Sequence, residues 1–225
     1  MNPNSMPEGL RTAVADDLVP VRPLPPAWVR TLQAAAFAVV GIAAIIALLS
    51  RSLRPDMDQL PMWIGWGSTA LQLAVGVVLI GLALREAVPG QQVSQPVVAS
   101  FIGLGAVMQV FVGIATWMSS PGMVAPEGKA TILGVGCALN DLALAAPAMA
   151  VTLWLVFRAL PIRPSIAGLL GGAGAAVTAD ALTHVLCPMS DLRHVLVWHT
   201  GAMLVLMLLG WAIGRAWELA TQRLD

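Results

Sequence analysis

The chain has 225 residues, of which 58% are hydrophobic and only 11% charged, with a formal net charge of zero. A soluble domain usually carries about 25% charged residues, so this chain cannot cover a water-facing surface. It also lacks the basic stripe that direct nucleic-acid contact requires. The expectation is an all-α polytopic membrane bundle that uses the lipid bilayer as solvent.

Residues 1–27 are polar and proline-rich, with no apolar core of a cleavable signal peptide, so the first span is expected to act as an uncleaved anchor. Within this tail, Leu10, Val14 and Leu18 recur at helical spacing. The stretch Val19-Pro20-Val21-Arg22-Pro23-Leu24-Pro25-Pro26 follows, and its prolines favour an extended backbone. A short amphipathic helix on a stiff linker suits capture in a partner's groove; a plain disordered tail is the alternative.

A spanning helix needs about 20 mainly apolar residues. Six runs meet that requirement, roughly Trp28–Ser50, Pro61–Leu84, Pro96–Met118, Cys137–Leu160, Ile166–Leu186 and Val195–Ala216. Turn residues separate them, among them Arg54-Pro55-Asp56, Pro89-Gly90, Ser120-Pro121-Gly122, Pro161-Ile162-Arg163-Pro164 and Cys187-Pro188. The division is therefore a tail over 1–27, a six-helix bundle over 28–217 and a second tail over 218–225. Six of the eight tryptophans sit near run ends, where an indole prefers to lie in a bilayer. With the N-terminus inside, the inner segments hold Arg11, Arg22, Arg30, Arg85, Arg158, Arg163, Arg215 and Arg223. The outer loops hold Arg51, Arg54, Lys129 and Arg193. That excess predicts both ends in the cytoplasm by the positive-inside rule.

Gly168 and Gly172 in the fifth run give the small-residue spacing that lets helices approach closely; no Gly-Lys-Ser/Thr follows to make a phosphate loop. Pro147 is a candidate kink in the fourth run. The two cysteines, Cys137 and Cys187, lie toward the outer end of consecutive helices. The short inner loop Pro161–Ser165 makes those helices an antiparallel hairpin, so the cysteines end at similar height. Facing side chains bridge the about 8–10 Å between neighbouring axes, which permits a disulfide without assuring it. All three histidines, His184, His194 and His199, fall in the same neighbourhood, and His184 precedes Cys187 by three residues. Thiolates and imidazoles suit soft or borderline metals, and Cys137, Cys187 and His184 supply three candidate ligands. The plainer reading makes each cysteine a small buried hydrophobe and each histidine a hydrogen-bonding group at a helix end. Asp141 and Asp180 are ionisable groups within spans, which normally pair or function. No hydrolase constellation or broken-helix transport site is visible, so neither catalysis nor a cofactor is expected.

Several segments, in order, carry a resemblance to a known family. They are Asp17-Leu18-Val19-Pro20-Val21-Arg22-Pro23-Leu24-Pro25-Pro26 with Arg30, Leu53-Arg54-Pro55-Asp56, and Val88-Pro89-Gly90. Cys137 with Pro147, Leu160-Pro161-Ile162-Arg163-Pro164, Cys187-Pro188, and Val195 to Trp198 continue the series. Together they resemble the NrsF family of bacterial inner-membrane anti-sigma factors over nearly the whole chain. The resemblance implies a multi-pass inner-membrane protein whose tail holds an extracytoplasmic-function sigma factor. The tail residues it points to are Asp17, Leu18, Pro20, Val21 and Arg22. It also implies that Cys137 and Cys187 sense periplasmic metal or oxidative stress, with a soft metal ion as one signal. The segment after the second cysteine departs from the family pattern: Met189 and Ser190 precede Asp191, and His199 follows Trp198. A small membrane transporter or metal-handling membrane protein is the alternative.

Overall fold

The computed structural model describes residues 7–17, 23–50, 52–119 and 128–222. Seven helices account for most of them: α1 (Glu8–Asp16), α2 (Ala27–Leu48), α3 (Trp63–Glu86), α4 (Gln95–Ser119), α5 (Ala130–Phe157), α6 (Pro164–Leu186) and α7 (Leu192–Thr221). No strand occurs among the described residues. Helices α2 to α7 are long and apolar enough to cross a membrane, and their outward faces carry exposed Leu, Val, Ile and Phe side chains. The all-α class and six spans are thus as the apolar runs predict. The fourth span differs: it begins at Ala130, which sets Cys137 two turns inside the helix. Glycines at 134 and 136 lower helix propensity there, but Gly134 forms a seat for the Trp198 indole, which a methyl group would strike. That contact also partly buries Trp198.

Helix α6 is the axis of the bundle, with 83% of its most apolar window buried. It packs on α3, α5 and α7, while α2 covers α3 and α5. The α6–α7 contact is backbone on backbone. A Cβ at Gly168 would collide with the Gly210 carbonyl, and one at Gly172 with Leu206 O. Small residues supply the van der Waals approach that must replace the hydrophobic effect in lipid. Pro147 stays within α5, and the partly buried Gly41 of α2 fits against its ring.

Each end of the bundle is tied by charge. At the end that carries the tail, Arg30 is 1% exposed and donates to Leu84 O at 3.3 Å and Leu155 O at 2.5 Å. Those carbonyls belong to the last turns of α3 and α5, where a cation offsets orphan acceptors and the helix dipole. Nearby, Arg163 clasps the fully buried Glu86 with contacts of 2.7 and 2.9 Å and donates to Val93 O at 2.9 Å. Glu86 also accepts from Val93 N at 2.6 Å. The turn segments Val88-Pro89-Gly90 and Pro161-Ile162-Arg163-Pro164 are held by this knot. At the far end, buried Arg54 donates to both Asp56 oxygens and to Ser190 Oγ, each at 2.6 Å. Arg54 N also bonds to Val185 O at 3.0 Å, folding the α2–α3 connection over the α6–α7 connection.

Candidate functional site

The site lies at this far end, where α5, the end of α6 and the start of α7 converge. Asp141 follows Cys137 by one helical turn on α5, so both face the same neighbours. Helix α6 stops at Leu186, and Cys187 adopts an extended backbone with ψ 120°. The chain then turns through Pro188 to Ser190 into α7, where Asp191 caps the helix by accepting from His194 N at 3.0 Å.

Between Val195 and His199 the helix widens into a π-turn, in which Thr200 N reaches back five residues to Val195 O. Such single turns concentrate at functional sites. In an α-helix, residues five apart point about 140° away from each other. Here the widened turn brings the His194 and His199 rings to 5.3 Å between centroids.

The result is a compact cluster of Cys137, Cys187, His194 and His199, one ligand-type atom from each lying within 4.8 Å of all the others. The two sulfurs are 3.4 Å apart, well beyond the about 2.05 Å of a disulfide, so no disulfide joins them in this structure. His194 Nε2 is 3.8 Å from Cys187 Sγ. The Cys187 thiol, beyond the end of α6, is pushed down from its ordinary value. The Cys137 hydrogen bond is the largest cause, burial opposes it, and the two imidazoles assist. A cavity of about 270 Å³ lined by Leu133, Gly136, Cys137, Cys187 and Pro188 opens beside the sulfurs.

Behind the thiols lies a buried polar chain. His199 Nδ1 is 2.9 Å from Asp141 Oδ2 and 3.6 Å from Asp180 Oδ1. Asp180 Oδ2 accepts from Gln72 Nε2 at 2.7 Å, and the same amide donates to Gln109 Oε1 at 3.0 Å. Five helices contribute to this chain, which fits the rule that intramembrane ionisable groups pair.

The structure thus brings Cys137 and Cys187 together and joins Asp141 and Asp180 through one histidine. His184 is placed differently from the ligand role first considered for it. Its Nε2 faces Ile64 O at 3.2 Å and Ser68 Oγ at 3.3 Å, and it is not among the four clustered residues. The helical spacing that paired it with Cys187 fails because the helix has already ended at Leu186. His194 and His199 instead cluster with the two cysteines, a proximity hidden from α-helical spacing by the π-turn. Of the tail residues singled out, Asp17 closes α1; Leu18, Pro20, Val21 and Arg22 lie outside the described residues.

Fold and site together define a six-span helical bundle of the multi-pass membrane type, with a dithiol–imidazole cluster at one end and a tail at the other. Residues 14–217 match the family model described as negative regulator of sigma F, and the chain belongs to that family. The family description makes a sigma factor the partner and negative regulation the role. No curated protein and no solved structure matches the chain.

Proposed function

We propose that the protein is a membrane-anchored anti-sigma factor of the bacterial inner membrane, with both termini in the cytoplasm. Residues 1–27 sequester an extracytoplasmic-function sigma factor, the bundle over 28–217 anchors the tail, and residues 218–225 form a second cytoplasmic tail. Metal or oxidant at the periplasmic face acts on Cys137 and Cys187 and releases the sigma factor. No catalytic turnover is part of this role.

The observation that carries the reading is the family match, which starts inside the tail and runs to the last helix. The tail supports it: α1 leaves its apolar side chains Leu10 and Val14 exposed at 53% and 48%. Such a face fits a helix-in-groove interaction. The 3.4 Å separation of the sulfurs supports a joint thiol event.

The test is co-purification of the tagged full chain from its native membrane, with a stoichiometric sigma factor expected. Deleting residues 1–27 should free that sigma factor while the bundle stays inserted. Retained binding after the deletion would sink the reading.

A further inference from the structure

We propose that Cys137, Cys187, His194 and His199 form a four-coordinate N2S2 site for a divalent, borderline-soft metal ion, with Asp141 holding His199 from behind. The inference rests on the thiol-sensing reading above and adds two histidine ligands and an orienting carboxylate.

Ligand geometry is the first argument. Zn–S bonds of about 2.3 Å and Zn–N bonds of about 2.0–2.1 Å in a tetrahedron put ligand atoms roughly 3.3–3.8 Å apart. The observed S–S distance is 3.4 Å and the Cys187–His194 distance 3.8 Å. All four atoms lie within 4.8 Å of one another. Drawing the four atoms from within 4.8 Å into a coordination shell takes shifts of about 1 Å or less.

The second argument is the carboxylate. A metal-bound histidine nearly always donates its other ring N–H to a carboxylate, carbonyl or water, which fixes its tautomer. His199 Nδ1 lies 2.9 Å from Asp141 Oδ2, within reach of such a donation, and the opposite ring nitrogen, Nε2, is then the one available to the cluster. Asp180 Oδ2 is engaged by Gln72 at 2.7 Å, and its Oδ1 stands farther from the His199 ring than Asp141 does, at 3.6 Å.

Chemistry selects the ion. Two thiolates and two imidazoles favour Zn2+, Cd2+ or Co2+ over Mg2+ or Ca2+, which require oxygen ligands. With two exchangeable protons shared among the thiols and imidazoles, the empty site is neutral; binding one hydrated divalent ion releases those two protons and the ion's waters to solvent and forms two metal–sulfur and two metal–nitrogen bonds. The product is neutral, which limits the cost of charge at a site whose Cys187, His194 and His199 are all buried. The cavity beside the sulfurs gives the ion an approach.

The test uses Co2+ as the probe on the reduced, purified full chain in nanodiscs. One Co2+ per chain, intense tetrahedral d–d bands and a thiolate-to-cobalt charge-transfer band are expected, with Zn2+ and Cd2+ displacing the cobalt. His194→Gln and His199→Gln should each weaken binding more than 100-fold. Asp141→Asn should cost about 10–100-fold, and His184→Gln should leave affinity unchanged. Because a variant in the cluster could misfold, Zn2+ protection of both thiols from alkylation is measured on the wild-type chain. A weak octahedral spectrum, absent protection, or full affinity in both histidine variants overturns the site. Binding through sulfur alone, with cysteine-dependent induction intact, overturns the histidine ligands and leaves thiol sensing standing. Normal induction in Cys137→Ser and Cys187→Ser chains ends the sensing reading whatever the cobalt spectrum shows.

Discussion

His194 and His199 stand with ring centroids 5.3 Å apart although five sequence positions separate them, because the backbone between them is a π-turn. The extra residue in that turn brings two imidazoles to one side of α7 and aims both at Cys187. His199 is thereby suspended between the thiols and Asp141, so one ring connects the cysteine pair to carboxylates buried in the bundle.

Thiol reactivity follows from this arrangement. The Cys187 thiol lies below its ordinary value of about 9, with the Cys137 hydrogen bond as the largest cause and the imidazoles next. A lowered folded-state value means that its contribution to stability is complete above the unfolded thiol range and declines as the pH falls. The expected outcome is that Cys187 remains alkylatable by iodoacetamide at pH 6–7, where an ordinary thiol of pKa about 8.5 reacts slowly. His194→Gln and Cys137→Ser should each move the alkylation midpoint upward, read by mass spectrometry across a pH series. An unchanged midpoint in both would contradict the assignment.

The Glu86–Arg163 knot supplies a stability prediction. Glu86 is fully buried and the Arg163 side chain is 31% exposed. Removing the arginine strands a buried carboxylate, which costs about 3 kcal/mol, the lower end of the range for buried pairs because of that partial exposure. Arg163→Ala should therefore lower the thermal midpoint in detergent markedly. The double variant Arg163→Met, Glu86→Leu should recover part of the loss, since no charge is left unpaired although Val93 N and O lose their partners. A double variant as unstable as the single one would show that the pair is not what holds this end.

Much of this architecture is legible in the sequence. Apolar run length gives the six spans, since backbone satisfaction in lipid leaves only helices for such runs. Gly168 and Gly172 announce the tight α6–α7 contact because no other residue permits it. The convergence of Cys137 and Cys187 follows from two helix arms of similar length around a short loop. What the sequence hides depends on departures from the α-helical period. His184 shares a face with Cys187 only if the helix continues, and it stops one residue short. His194 and His199 diverge unless the turn is widened. Gln72 and Gln109 carry no spacing signal at all; their place in the polar chain exists only once α3, α4 and α6 are packed together.

Orientation is tested separately. The proposed cytoplasmic ends place the loop at Pro89 inside, the segment at Pro126 outside and Asp225 inside. Alkaline phosphatase fusions should be active only at Pro126, and cytoplasmic reporters only at the other two. Activity of a phosphatase fusion at Asp225 would defeat the arrangement, and would move the thiols to the reducing side of the membrane.

The last prediction concerns how an event at the thiols reaches the tail. Cys137 sits on α5, and α5 touches α2 at two levels: Pro147 against Gly41, and the Leu155 carbonyl against Arg30. Arg30 also holds Leu84 O of α3, and it lies four residues beyond Pro26, where the tail enters the bundle. A pull on the thiol end of α5 therefore bears on the base of α2 through a rigid helix and a charged clamp, a contiguous route of the kind coupling needs. Arg30→Met keeps the side-chain bulk and removes the donors. The expected outcome is a chain that still inserts and still binds the sigma factor, but releases it poorly on cadmium or oxidant, while its thiols react at the wild-type rate. Cys137→Ser, Cys187→Ser and the double variant should show the same loss of release, as the proposed single switch requires. Induction by Arg30→Met at the wild-type level would exclude the clamp from the route, and induction by the double cysteine variant would remove the switch itself.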